Sequence, residues 1–372
     1  MAFSKIASGG VDGGVGDSLR PNANPLIING DMAVAQRGTS FSHSDTNNDN
    51  YPVDRFSFQT GAIGVYTSTQ ETLSSGAAYD AGFRKSARID CTTAQASPAA
   101  GDYFWFQYKM EAQDCLLFKK GTSSAEKMTV AFWVKSNKTG TSQLTVKDGD
   151  NDRICAGTYA ISSANTWEHK VINIAADTTG AFNNDNGVGF IFEWWLGGGS
   201  SYTSGTAPTA WEARTDADRG ANNLSINDNT ANDWAITGIQ LEVGEYTSST
   251  LPPFQHESYG DNLARCQRYF YRMANENKAL GTFSYYSSGR VEAGVHFPVT
   301  MRTAPSLVVT SGSSYHRVQR NGGDNNLNDF SAGSVGLTTG SIYNTDEASG
   351  TAGNAGYGYT RGSGFVSWDA EL

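Results

Sequence analysis

The chain has 372 residues, enough for two hydrophobic cores, since a single core stops growing at roughly 250–300 residues. Gly numbers 42, yet aromatic residues reach 12%, which excludes a disordered chain and marks a folded, turn-rich one. A net charge of -10, with no Lys/Arg run longer than Lys119-Lys120, argues against nucleic acid or an anionic membrane as partner.

Residues 1–23 are Gly-rich, with Gly9, Gly10, Gly13, Gly14 and Gly16 close together, and have little to bury. They read either as a docking arm that a partner orders or as a frayed terminus. The opening "MAFSKIASGGVDGG" carries no apolar h-region, so synthesis in a cytoplasm is expected. Next comes "NPLIINGDMAVAQRGTSFS", residues 24–42, in which Leu26–Ile28 reads as a buried strand. Asn29-Gly30-Asp31 kinks it, and Met32 and Val34 carry it on.

From 24 to about 250 the apolar residues repeat with period two. The segments are 51–60, 83–92, 102–118, 127–137, 142–149, 166–175, 188–196 and 233–244. In the fourth, Met128, Val130, Phe132 and Val134 share one face. Strands at this spacing with turn residues between them predict an antiparallel β-sandwich or jelly roll over 24–250. Pro252-Pro253 opens a linker, 251–273, where Leu263, Cys266, Phe270 and Met273 recur at helical spacing and predict one helix over 258–271. Alternation resumes afterwards, so 274–372 is expected to form a smaller C-terminal β domain. The longest apolar run, "MTVAFWV", falls far short of the ~20 residues of a membrane helix, and no membrane insertion is expected.

Few residues carry a chemical signature. Cys91, Cys115, Cys155 and Cys266 lack C-x-x-C spacing and read as buried thiols. Asp148, Asp150 and Asp152 alternate like metal ligands, but Arg153 and Tyr159 stand where an EF-hand needs Gly and Glu. A hairpin with solvated carboxylates or a looser Ca²⁺ site remain, and no metal or cofactor is assigned. The histidines His43, His169, His256, His296 and His316 show no ligand spacing, and there is neither a nucleophile elbow nor a P-loop. Glu193, Asp216 and Asp218, with Trp211 nearby, are the first carboxylates to consider for glycoside hydrolysis. The more informative group is the tyrosines set in Gly/Ser-rich stretches: Tyr202, Tyr285, Tyr286, Tyr315, Tyr343, Tyr357 and Tyr359. Such rings stack on sugars, pack into a partner protein, or fold back as lids on the core.

Three ordered motifs carry a family resemblance: Asn29-Gly30-Asp31, Gln36-Arg37-Gly38, and Tyr51 followed by Asp54-Arg55-Phe56. With "VAFWVKSNKTGT" and "DWAITGIQLEVGEY…LARCQRYFYR", the chain from 24 to 273 resembles tailed-phage tail-fibre and tail-tip proteins with carbohydrate-binding-like jelly rolls. The resemblance implies a virion component of the tail, a homotrimer, without catalytic residues. Host glycan or receptor binding is often assigned to such proteins, and other tail proteins would hold residues 1–23. The alternatives are a purely structural virion component, such as a capsid decoration or fibre joint, and a polysaccharide depolymerase. No ligand residues transfer by motif. Arg37 is expected to pair with a carboxylate, Asp54 being one candidate, rather than to touch a ligand.

Overall fold

The computed structural model describes residues 24–43 and 50–372, so the expected docking arm over 1–23 lies outside the described residues. The chain divides into two compact units, Met1–Tyr259 and Gly260–Leu372.

In the first unit the strands are β1 (Ser40–His43), β2 (Asn50–Val53), β3 (Phe56–Gly61), β4 (Val65–Thr72), β5 (Lys85–Thr93), β6 (Tyr103–Glu111) and β7 (Met128–Ser136). They continue with β8 (Gly140–Asp148), β9 (Arg153–Ile161), β10 (Glu168–Ile174), β11 (Val188–Gly198), β12 (Glu212–Ala213) and β13 (Asp233–Val243). One sheet has the order β1-β4-β5-β13-β7-β10 and the other β12-β9-β8-β11-β6-β3-β2. Every pairing described is antiparallel, and the two sheets enclose one core, so the unit is the expected jelly-roll sandwich. Alternation does the work: Phe56 and Phe58 of β3, Phe104 and Phe106 of β6, and Trp194 of β11 meet Val130 and Phe132 of β7 and Trp234 of β13. Edge-on ring contacts cross between the sheets, Phe58 to Trp234 at 6.5 Å and Phe132 to Trp194 at 5.7 Å.

Four local expectations need correction. The segment 102–118 is a strand only to Glu111, and Ala112–Phe118 is a 3-10 helix. The segment 51–60 is not one strand: β2 and β3 form a hairpin whose turn is Asp54-Arg55, with Arg55 at φ 73°. Leu26–Ile28 is not a strand either. It is a turn that plugs the sandwich, with Ile27, Met32 and Val34 all buried. Asn29, at φ 61°, replaces ladder pairing with its side chain: its amide donates to the carbonyls of Val34 and Asp54, and its Oδ1 accepts from Val34 N–H. Gly30 is required because a Cβ there would lie 2.2 Å from the carbonyl oxygen of Ile239. Finally, the helix spans Tyr259–Gln267 and stops short of 271; Phe270 and Met273 enter the first strand of the second unit.

Arg37 does pair with Asp54, at 3.9 Å, and its guanidinium covers the Tyr51 ring at 4.2 Å. The four cysteines are buried thiols.

The second unit holds β14 (Phe270–Asn275), β15 (Ala279–Ser287), β16 (Arg290–His296), β17 (Ser306–Val309) and β18 (His316–Arg320). It closes with β19 (Gly323–Leu327), β20 (Ser331–Gly333), β21 (Thr339–Asn344), β22 (Ala355–Thr360) and β23 (Phe365–Asp369). A three-stranded sheet, β14-β23-β17, and a seven-stranded one, β19-β18-β22-β15-β16-β21-β20, share a core built on Phe283, Tyr285, Val291, Ile342 and Trp368.

Candidate functional site

The seven-stranded sheet of the second unit turns one face to its core and the other to solvent. In β15, Leu280, Phe283 and Tyr285 are buried while Thr282 and Ser284 are exposed. Alternation continues through Phe283, Ser284 and Tyr285 to Tyr286, which faces outward and is 73% exposed. In β22 the sequence Gly356-Tyr357-Gly358-Tyr359 alternates. Cβ atoms added at Gly356 and Gly358 would lie 2.6 Å from Val318 and 2.2 Å from Phe283. The glycines therefore admit the core, and period two forces both tyrosines onto the outer face. Their rings lie 6.0 Å apart.

Strand order then gathers residues far apart in sequence. Tyr357 stands opposite Thr282, Ser284 opposite Glu292, Glu292 opposite Tyr343, and Gly294 opposite Ser341. The result is a groove of about 700 Å³ floored by Thr282, Ser284, Gly294 and Ser341, with Tyr286 and Arg290 at one wall. The Arg290 guanidinium lies 4.2 Å from the Tyr343 centroid and 5.6 Å from that of Tyr286, and its Nε is 2.9 Å from Glu292. Across β22, Arg317 donates to the Tyr359 hydroxyl at 3.3 Å and pairs with Asp324 at 2.6 Å. Tyr286, Tyr343, Tyr357 and Tyr359 thus share one face.

The other three tyrosines lie elsewhere. Tyr285 corrects the sequence reading: it is 1% exposed, and its hydroxyl donates to Asn325 inside the core. Tyr315 is half-buried in the turn before β18, where its carbonyl accepts from Arg361 N–H. Tyr202, in the first unit, is half-buried against Tyr103, Trp105 and Trp195. Sequence reasoning missed Arg290 and Glu292, although their i, i+2 spacing in β16 puts them on one face.

Beside Tyr202, Arg219 lies against the rings of Trp105 and Trp195, at 4.9 and 5.2 Å, and binds Glu193 through two hydrogen bonds of 2.7 and 3.1 Å. Burial opposes the Arg219 charge, but the Glu193 carboxylate outweighs it and holds the guanidinium above its ordinary range. Trp195 Nε1–H donates to the same carboxylate. Glu193 is therefore committed to a buried ion pair. Asp216 pairs with Arg219 and Arg214, and Asp218 accepts from Thr206 N–H. These carboxylates are engaged in bracing a loop.

The aspartates of the β8–β9 hairpin also do three separate jobs. Asp148 is fully buried against the Lys120 ammonium and accepts from the N–H groups of Asp150 and Asn151. Asp150 accepts from Asn183, and the exposed Asp152 pairs with Arg214. Among the described residues no group of three His, Cys, Asp or Glu side chains is placed to hold a metal ion. Lys120 supplies the positive charge itself, held also by Asp177, by the carbonyls of Thr179 and Gly180, and by the rings of Phe182 and Trp211.

The chain is thus a two-unit all-β protein: an antiparallel jelly-roll sandwich, then a smaller β unit with tyrosines on the solvent face of its larger sheet. No protein-family model matches it, and no curated protein does. Among solved structures it is similar to the enzymatically active domain of tailspike protein 4 of bacteriophage CBA120. That pair has 10% identity and a TM-score of 0.30, covering 59% of this chain and 21% of the tailspike chain. A putative sugar binding protein from Bacteroides thetaiotaomicron is 12% identical over 59% of this chain and 100% of its own, with a TM-score of 0.32. A family 11 carbohydrate-binding module of a Clostridium thermocellum cellulosomal cellulase is 11% identical over 55% of this chain and 98% of its own, with a TM-score of 0.27. The sandwich itself stands on the strand pairing described above.

Proposed function

We propose that the second unit binds a glycan on the outer face of its seven-stranded sheet, and that the chain is a non-catalytic, host-recognising component of a phage tail. The observation that carries the binding role is the gathering of Tyr286, Tyr343, Tyr357 and Tyr359 around a floor of small polar side chains. Aromatic platforms beside hydroxyl-bearing residues match sugars, which present an apolar ring face and a polar edge. The tail assignment draws on the ordered motifs at Asn29-Gly30-Asp31, Gln36-Arg37-Gly38 and Asp54-Arg55-Phe56, which resemble those of tail-fibre and tail-tip proteins. In this reading the jelly roll is the rigid base and residues 1–23 dock onto other tail proteins. Assembly as a homotrimer multiplies weak contacts into avidity.

The proposal predicts binding to polysaccharide from the host surface, weakened by Tyr343→Ala and Tyr357→Ala, with no new reducing ends on incubation. New reducing ends would favour a depolymerase; the absence of any glycan binding would favour a purely structural component. Gold-labelled antibody on intact particles should mark the tail, and label on the capsid would sink the tail assignment.

A further inference from the structure

The same face carries information about which glycan it takes and how the glycan lies; this step rests on the glycan-binding reading above. The charged or titratable side chains that its strands present outward are Arg290, Glu292, His296, Arg317 and Asp324. Each arginine is already matched to a carboxylate, Arg290 to Glu292 at 2.9 Å and Arg317 to Asp324 at 2.6 Å, and each is also engaged by a tyrosine. A carboxylate or sulfate on the ligand laid against either arginine would meet the negative charge of that partner. A neutral ligand has no such conflict.

The rings also set a direction. Tyr357 lies on β22 and Tyr343 on β21, with β15 and β16 between them, so the two ends of the face are three strand spacings apart, roughly 14 Å. The surface between them is low over Thr282, Ser284 and Ser341 and bare at Gly294, with Glu292 standing beside Tyr343. A Cβ built on Gly294 meets nothing within 4 Å, so the groove is empty of protein there. We infer that this face takes a neutral oligosaccharide laid across the strands, one sugar ring against Tyr357 and Tyr359 and another beside Tyr343, in preference to a single sugar or an acidic chain.

The test titrates the full chain with neutral oligosaccharides of increasing length and with the same chains carrying uronate groups, at two salt concentrations. Affinity for neutral chains should rise with length until both aromatic ends are spanned, then level, with no dependence on salt. Tyr357→Ala should weaken the longer chains roughly three- to tenfold. Gly294→Gln puts a side chain into the groove from a Cβ that meets no atom, so it should abolish the gain from length while leaving the melting temperature nearly unchanged. Tighter binding of the uronate chains with a steep salt dependence, or an affinity flat with length, overturns the inference and leaves the glycan-binding role standing. Binding of no glycan, or binding indifferent to both substitutions, overturns the glycan-binding role itself. Loss of self-association in Gly294→Gln without any glycan affinity would mark the face as a contact between copies of the chain and overturn both.

Discussion

Replacing Lys120 by Met tests whether the ammonium is what holds the β8–β9 end of the jelly roll together. Met keeps the stem and its contact with Phe182 and Trp211 but removes the charge that lies 2.5 Å from Asp148 and 3.1 Å from Asp177. Asp177 still has Arg153 at 2.8 Å. Asp148, fully buried, keeps only hydrogen bonds from neutral groups. Stranding one buried carboxylate costs about 3–5 kcal/mol, and the surviving donors place this case near about 3 kcal/mol. For a unit of this size that lowers the melting temperature by roughly 6–12 °C. Calorimetry reads the shift. Adding Asp148→Asn removes the stranded charge, so the double variant should be more stable than the sum of the single losses by at least about 1 kcal/mol. A shift below about 2 °C, or strictly additive losses, would refute the reasoning.

Other outcomes follow from buried groups in the same unit. His43 is buried with its ring nitrogens at Ser68 and Asn50, and burial pushes its pKa from 6.5 down to about 4. The unfolded chain takes up this proton near 6.5 and the folded one only near 4, so stability present above 6.5 is lost as pH falls through that window. The loss amounts to at most about 3 kcal/mol. Melting temperature should therefore fall as pH drops from 6.5 to about 4, and His43→Gln should flatten that fall; an unchanged slope would contradict the assignment. Arg37→Ala should cost about 1–2 kcal/mol, because the 3.9 Å pair with Asp54 is long and Gln36 still serves that carboxylate. Its glycan affinity should equal that of the parent, and a weakened affinity in the folded variant would place Arg37 in a binding site after all.

The strands easiest to read were those with bulky residues at every second position, such as Val130, Phe132 and Val134 in β7. Two central strands gave no such signal. β4 has one large core residue, Tyr66, among Thr and Ser. In β9, Gly157 reads as a turn residue, but its missing Cβ makes room for Ile172 of the facing sheet, which would lie 2.2 Å away. Asn29-Gly30-Asp31 was legible as a break, though not as a plug whose amide side chain takes over ladder hydrogen bonds. At the face itself, Tyr285 and Tyr286 sit in the same Ser- and Gly-rich stretch, and composition gives them the same reading. Strand parity alone sends one into the core and the other to solvent. The nearness of Tyr343 to Arg290, or of Tyr357 to Thr282, depends on a strand order that does not follow the sequence, so no local pattern could show it.

The most direct test of the proposed role is binding of the full chain to host-surface polysaccharide, compared with the Tyr343→Ala/Tyr357→Ala double variant. Both substitutions lie on the solvent face, so the variant should melt with the parent and lose roughly tenfold or more in affinity. Equal affinity in a variant that melts normally would contradict the account.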